Sequence, residues 1–450
     1  MNNHLPIAPE LLIPLAAFAA LIVLLLAIGK VPLSYNLRNL AVRWKTTLVT
    51  ALAFTLVVGL LTIMMAFVAG MDKLTQESGI PGNVTTLADG ATDEAQSSLT
   101  ADYSIKVLPQ DLKREVLQDQ QGRYLSSREI YAVVNQPIPN AAPGGRQRRF
   151  VQVRGLEDPA IAAAVHNMEL YSPGKWFPHD GYQQRTRTVD GKTTSQTLYE
   201  VVVGEGLSRD LGGDFGKAAL EVGDTFELGP VTVVVVGIMK SEGTTFGSEI
   251  WTTSAWVGQR FNKNNTFSSI TSRTHDAASA DKAAALVRNH KEGAATALPE
   301  TEYYSKMTMT NLQFRIAAVF IGIIMAIGGV LGVMNTMFAA ISQRTKDIGV
   351  LRILGYSRKA LLVSFLLESL FIALLGGLVG CGLGYLTNGL SATSTLSSVG
   401  GGGGKSVMLR LVVDGNTFAA GMLFTLVMGT LGGLVPSLSA MRLKPLESLR

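Results

Sequence analysis

The sequence predicts a membrane protein: an α-helical transmembrane bundle of about five spans with one large extracytoplasmic α+β domain. Three observations predict it. Hydrophobic residues make up 47% of the 450 and charged ones only 16%, against roughly a quarter charged in an average soluble domain. Five apolar stretches, 11–29, 46–70, 315–341, 361–390 and 411–437, are near or above the roughly 20 helical residues that a ~30 Å bilayer core requires. The charge is also divided, with net −5 on residues 71–314 and +10 on the remainder. That basic excess flanks apolar stretches, as the positive-inside rule describes, whereas a nucleic-acid binder carries it on a folded polar face.

The elements follow in order. Residues 1–10 hold no Lys or Arg, unlike the positive start of a signal peptide, so 11–29 reads as a retained helix with an outside N-terminus. The 30–45 segment carries Lys30, Arg38, Arg43 and Lys45, with Leu33, Leu37, Leu40 and Trp44 at near-helical spacing. It reads as a cytoplasmic amphipathic segment or an inner extension of the second span, 46–70. Basic residues recur in 342–360 and in the tail, 438–450, which places all three segments on the cytoplasmic side. Residues 71–314 and the loop 391–410 then lie outside.

Within 71–314, residues 78–100 are rich in Gly, Ser, Thr and Asp and read as a loop. Strand-like runs occupy 103–108, 149–154, 198–203, 225–228 and 231–238, the last two joined as a hairpin at Gly229-Pro230. Helix-like runs occupy 159–168, 249–261 and 281–291. Strands and helices without strict alternation argue for α+β.

Several motifs point to no chemistry. A single cysteine, Cys381, excludes a disulfide framework, and the five scattered His form no HExxH-like pair. No catalytic, cofactor-binding or metal-ligating residue is assigned. The GGGGGKS run at 400–406 lacks the first glycine of a phosphate loop, where Val399 stands, so it reads as a linker. The acid pairs Asp93-Glu94 and Glu157-Asp158 read as solvated surface. Gly376, Gly380 and Gly384, and likewise Gly328 and Gly332, put glycine stripes on helix faces where another backbone can approach. Glu368 is an intramembrane acid; a buried structural partner, or a position near the inner headgroups, is favoured over a proton relay.

The loop 342–360 carries the most specific signal. Ile348, Val350, Leu351 and Ile353 alternate with charges between two spans, as in a short helix that docks in a partner's groove. Ile348 and Leu351, three apart, share a face expected to insert into that groove. Arg344 and Arg352 are expected to flank it, Asp347 to pair across or within it, and Gly349 and Gly355 to allow close approach and end the helix.

The stretch QRTKDIGVLRILGYSRKALLVSFLLES resembles the signature of FtsX-like permeases, the membrane subunits of MacB/LolCDE-class ABC transporters. Arg344, Thr345, Ile348, Gly349, Leu351, Arg352, Gly355, Phe365, Leu366 and Glu368 match that pattern, with Gln343 and Asp347 as mild departures. The ending LSAMRLKPLESLR is similar to the family's closing pattern, giving a permease domain over 317–447. VVVGEGLSRDLG, VGDTFEL and VTVVVVGIMKSEG resemble the MacB-like periplasmic core domain. The span 11–29 is additional to the family's usual four.

The resemblance implies an inner-membrane, multi-pass permease without its own ATPase. ATP and Mg would reside on a separate ABC ATPase subunit, bound through 342–360. It further implies pairing with an identical or second permease, contact with a periplasmic adaptor protein and membrane lipid, and no nucleic acid. ATP-driven motion on the cytoplasmic side would move the outer domain, for export or lipoprotein release. The other implied reading is a signalling subunit of FtsX type that activates a cell-wall hydrolase. A catalytic outer domain on a passive anchor would have no use for a docking helix at 342–360.

Overall fold

The structure is a computed structural model that describes residues 9–29, 38, 40–100, 111–139, 147–189, 192–241, 243–290, 294–307, 309–397 and 404–442. The chain divides into two units: residues 1–70, 313–390 and 410–450 form one, 71–312 and 391–409 the other.

The first unit is a helical bundle. Four helices are long and apolar enough to cross a membrane: α2 (Trp44–Ser78), α9 (Met309–Ser342), α11 (Arg358–Tyr385) and α12 (Gly415–Met441). A fifth, α1 (Pro9–Gly29), has 21 residues and a shorter apolar run, Ile13–Ile28. Its Phe18 and Leu25 are buried among Val58, Leu366, Leu370 and Met422, so α1 is packed into the bundle. Large apolar side chains on the outer faces of α2 and α9, such as Leu52, Leu56, Ile323 and Ile327, are exposed. In water that would be unfavourable; facing lipid it is not.

The ends of the spans differ from the sequence reading. The fourth helix stops at Tyr385 rather than at residue 390. The fifth starts at Gly415, because Asp414 caps it, its carboxylate accepting from Thr417 N–H at 2.8 Å. Before α2, residues 30–37 and the 443–450 tail lie outside the described residues. Residues 40–42 are helical, and Arg43 Nη1 donates to Ala340 C=O at 3.1 Å.

The second unit is α+β. Its strands are β1 (Asn83–Ala88), β2 (Leu99–Thr100), β3 (Ser126–Pro137), β4 (Arg148–Leu156), β5 (Tyr182–Val189), β6 (Lys192–Gly204), β7 (Thr225–Leu228), β8 (Val231–Met239), β9 (Glu249–Thr253), β10 (Thr266–Phe267), β11 (Ser269–Arg273) and β12 (Ala295–Pro299). Its helices are α3 (Leu112–Glu115), α4 (Pro159–Val165), α5 (Glu205–Asp214), α6 (Ser254–Arg260), α7 (Ala277–Arg288) and α8 (Glu300–Met307). Among the described residues ten strands form one sheet, ordered β12-β1-β11-β3-β4-β9-β6-β8-β7, with β5 paired to β6. Most pairs are antiparallel; β4–β9 and β6–β8 are parallel.

The predicted hairpin forms β7 and β8, turning at Gly229 with φ +64°, the left-handed region that glycine enters at no steric cost. Three expectations are corrected. The loop read over 78–100 contains β1, whose Val84, Thr85, Thr86 and Leu87 are buried between β11 and β12. The helix read over 249–261 is strand β9 followed by α6, because Thr253 caps the helix only there. The linker read over 391–410 contains two paired strands, β13 (Ser391–Ser397) and β14 (Gly404–Arg410). The strand read at 103–108 lies outside the described residues.

Candidate functional site

Between α9 and α11 the chain forms a separate short helix, α10 (Thr345–Ile353). Its start is set at Arg344, whose C=O accepts from Ile348 N–H at 2.9 Å. Its end is a Schellman motif: Tyr356 N–H donates to Leu351 C=O (3.1 Å) and Gly355 N–H to Arg352 C=O (3.3 Å). Gly355 has φ +92°, so its expected role of ending the helix is met by a conformation that suits glycine. Ser357 then caps α11, its Oγ accepting from Ala360 N–H at 3.1 Å.

Arg344 does not flank an outward contact. Its guanidinium turns inward and grips Glu368 of α11 with two hydrogen bonds, Nη1–Oε2 at 2.9 Å and Nη2–Oε1 at 3.1 Å. Both side chains are 7% exposed. The intramembrane acid thus has a structural partner, in the bidentate geometry that arginine favours.

The expected docking face is also corrected. Ile348 is buried, and with the half-buried Leu351 it packs among Met337, Ile341, Leu361 and Phe365 of this same chain. Gly349 is buried beside it. The face that remains outside carries Val350, Ile353 and Leu354, the last two 61% and 70% exposed. Lys346, Asp347, Arg358 and Lys359 surround it, all exposed. Arg352 bonds the C=O of Tyr356 at 3.1 Å. Both apolar sets obey helical spacing; the inner one is taken by the bundle.

The glycine stripe on α11 is a backbone contact with α2. A Cβ at Gly376 would stand 2.5 Å from Ala51 C=O, one at Gly380 2.8 Å from Thr55 C=O, and one at Gly384 2.5 Å from Thr62 Cγ2. Gly328 and Gly332 make no such contact; both face open space. A second stripe, on α12, was missed: Cβ atoms at Gly421, Gly429 and Gly433 would crowd Cys381, Ala373 and Ser369 of α11. Its spacing of four was visible in the sequence around Thr425.

A cluster in the α+β domain was also missed. Glu94, read as solvated, is buried, as is Asp93. Arg154 of β4 bonds Glu94 (2.6 Å), Glu249 (2.6 and 2.8 Å) and Glu129. His166 Nε2 stands 2.6 Å from Glu129 and its Nδ1 3.6 Å from Glu300. Burial pushes the His166 pKa down, but Glu129 and Glu300 outweigh it and raise the value to about 10. Glu129 falls to about 2, against its own burial, because His166 and Arg154 favour its charge. Strands β3, β4 and β9 and the end of α4 are thus tied by charge. In sequence these residues are scattered over more than 200 positions, with no local pattern to gather them. Glu157 and Asp158, by contrast, are partly exposed and pair with Arg128 and Arg123. In the former phosphate-loop candidate, Lys405 and Ser406 lie on strand β14, not at a strand-to-helix turn.

Residues 47–290 match the MacB-like periplasmic core domain and 319–445 the FtsX-like permease C-terminal domain. The chain is 36% identical over 142 residues to the ABC transporter permease YknZ of Bacillus subtilis (strain 168), 32% of each chain. It is 25% identical over 394 residues to the macrolide export ATP-binding/permease protein MacB of Rhodopseudomonas palustris (strain HaA2), covering 82% of this chain and 56% of that one. The chain therefore spans about a third and about half of these relatives' lengths. Among solved structures, the periplasmic region of MacB from Actinobacillus actinomycetemcomitans aligns with TM-score 0.33 and 12% identity, over 51% of this chain and 93% of that one.

Proposed function

The chain belongs to the family with a MacB-like periplasmic core domain, joined here to an FtsX-like permease region, and from that premise we propose that it is the permease subunit of an ABC transporter powered by a separate ATPase. It is a multi-pass protein of the cell membrane with a large extracytoplasmic α+β domain. In the proposed cycle, ATP and Mg are held by the ATPase on the cytoplasmic side. Nucleotide-driven closure pushes on α10, and a pair of permeases passes the motion to the outer domains for export or lipoprotein release. A periplasmic adaptor would meet the outer domain.

The observation that carries this reading is the outer face of α10. Val350, Ile353 and Leu354 are large, apolar and exposed on a helix too short to span, ringed by charges, and held from behind by Arg344–Glu368. An apolar face with a charged rim is the anatomy of a docking site. The test is site-specific photocrosslinking in cells that co-express the candidate ABC ATPase subunit. Probes at residues 353 and 354 are expected to capture the ATPase, whereas probes at buried Ile348 and at Leu396 are not. Capture from 396 but not from 353 or 354 would overturn both the docking role and the orientation.

A further inference from the structure

A cleft of about 1000 Å³ opens in the α+β domain beside β7, the last strand of the ten-stranded sheet. Its walls are β7 with the turn into β8, the β5–β6 hairpin, and the ends of α5 and β3.

The strand register fixes which backbone groups face this space. Phe226 stands opposite Val233 and Leu228 opposite Val231. One step earlier, Asp224 C=O accepts from Val235 N–H at 2.9 Å. Residues of an antiparallel pair alternate between bonding the partner strand and facing away from it. Asp224, Phe226 and Leu228 therefore bond toward β8, and Thr225 and Glu227 turn their N–H and C=O groups outward. A separate contact agrees: Glu227 C=O accepts from the side-chain Nε2 of Gln136 at 2.8 Å. The Thr225 N–H and C=O and the Glu227 N–H have no partner among the described residues.

The lining matches this open edge. Gln136 is 8% exposed, and its Oε1 has no hydrogen-bond partner among the described residues. Phe226 and Leu211 are buried beneath the cleft, and Phe215 is half exposed at its rim. Arg185, Glu227 and Asp214, the last paired with Arg149, add charge of both signs.

We propose that the cleft binds an extended polypeptide segment of a partner protein, which adds to β7 as a further strand. The free groups are two main-chain donors two residues apart, with one acceptor beside the first, a spacing of about 6.8 Å that an extended chain matches. A compact small molecule offers no such repeat. The short length of β7 and the Glu227 carboxylate discourage pairing with a whole second sheet. This proposal does not depend on ATPase coupling.

The test uses the full chain in lipid nanodiscs. A displayed library of random linear peptides is selected against it, and binders are kept only if they photocrosslink to residue 215 or 227. Three perturbations are then compared by fluorescence polarisation. N-methylation of alternate peptide residues removes backbone donors without touching the protein. Glu227→Pro removes one outward N–H and no β7–β8 bond, since Pro is tolerated on such an edge. Phe215→Ala removes the rim aromatic. One N-methylation phase and Glu227→Pro should each weaken binding by about tenfold or more, the other phase far less. The proposal is overturned if no peptide from the library crosslinks at 215 or 227. It is equally overturned if both N-methylation phases and Glu227→Pro leave affinity within about twofold.

Discussion

Removing one member of the Arg344–Glu368 pair should loosen the whole helical bundle, and the chain carries its own reporter. Two unit charges about 4 Å apart attract by about 4 kcal/mol at an effective dielectric of about 20. The two side chains are 7% exposed, so solvent does little to screen them. Loss of one partner from a buried pair typically costs about 3–5 kcal/mol, because the other charge is stranded. Glu368→Gln keeps one neutral acceptor, worth about 1 kcal/mol, which lowers the expected cost to about 2–4 kcal/mol. Cys381, the only cysteine, is fully buried on the same helix among Val58, Leu370 and Met422. A thiol-reactive dye labels it only when the bundle opens. If opening is a fast pre-equilibrium, a loss of 2–4 kcal/mol accelerates labelling roughly 30- to 700-fold. Arg344→Met should accelerate it at least as much. The double variant Arg344→Met/Glu368→Leu should return most of the way, since apolar replacement of a buried pair is often neutral. Labelling of Glu368→Gln within about twofold of wild type would refute the reasoning. So would a double variant as fast as either single one.

The other predictions concern separate parts of the chain. The folded pKa of His166 is about 10 against an ordinary 6.5, so its contribution is complete below pH 6.5 and is lost as pH rises through 10. Glu129, at about 2 against 4.5, contributes fully above pH 4.5 and loses this as pH falls through 2. The protection of β3 and β4 amides in the full chain, exchange rate relative to the intrinsic rate at each pH, should therefore be greatest between those limbs, and His166→Gln should remove the alkaline one. Gly376→Leu should destabilise the bundle by about 2–3 kcal/mol or more, since its first added atom already meets Ala51 backbone. Gly328→Ala, in open space, should be neutral or stabilising by up to about 1 kcal/mol, both read by Cys381 labelling. Lys405→Ala should leave the ATPase rate of the assembled complex unchanged, because Lys405 lies on β14 rather than in a phosphate loop; a large loss would restore the nucleotide reading.

The sequence by itself determined the apolar helices, the polar domain between them, the family resemblance and the segment at 342–360. These properties are local: a run of about 20 apolar residues or a glycine every fourth position is readable wherever the chain goes. It also determined that this segment carries apolar residues at helical spacing. Only the tertiary structure decided which of its two apolar faces is free. Ile348 and Leu351 satisfy the same spacing rule as Val350, Ile353 and Leu354, and the difference lies in what packs against each: Met337, Ile341, Leu361 and Phe365 cover the first set, while Arg344 pairs with Glu368, 24 residues away. The same holds for glycine: Gly376 and Gly328 lie in equivalent patterns, but only Gly376 has a neighbouring helix against it. In the α+β domain, Asp93-Glu94 looks like solvated surface because its partner Arg154 lies 60 residues on. A buried charge is stable only where opposite charges converge on it, and that convergence is a property of strand order, which no local window of sequence contains.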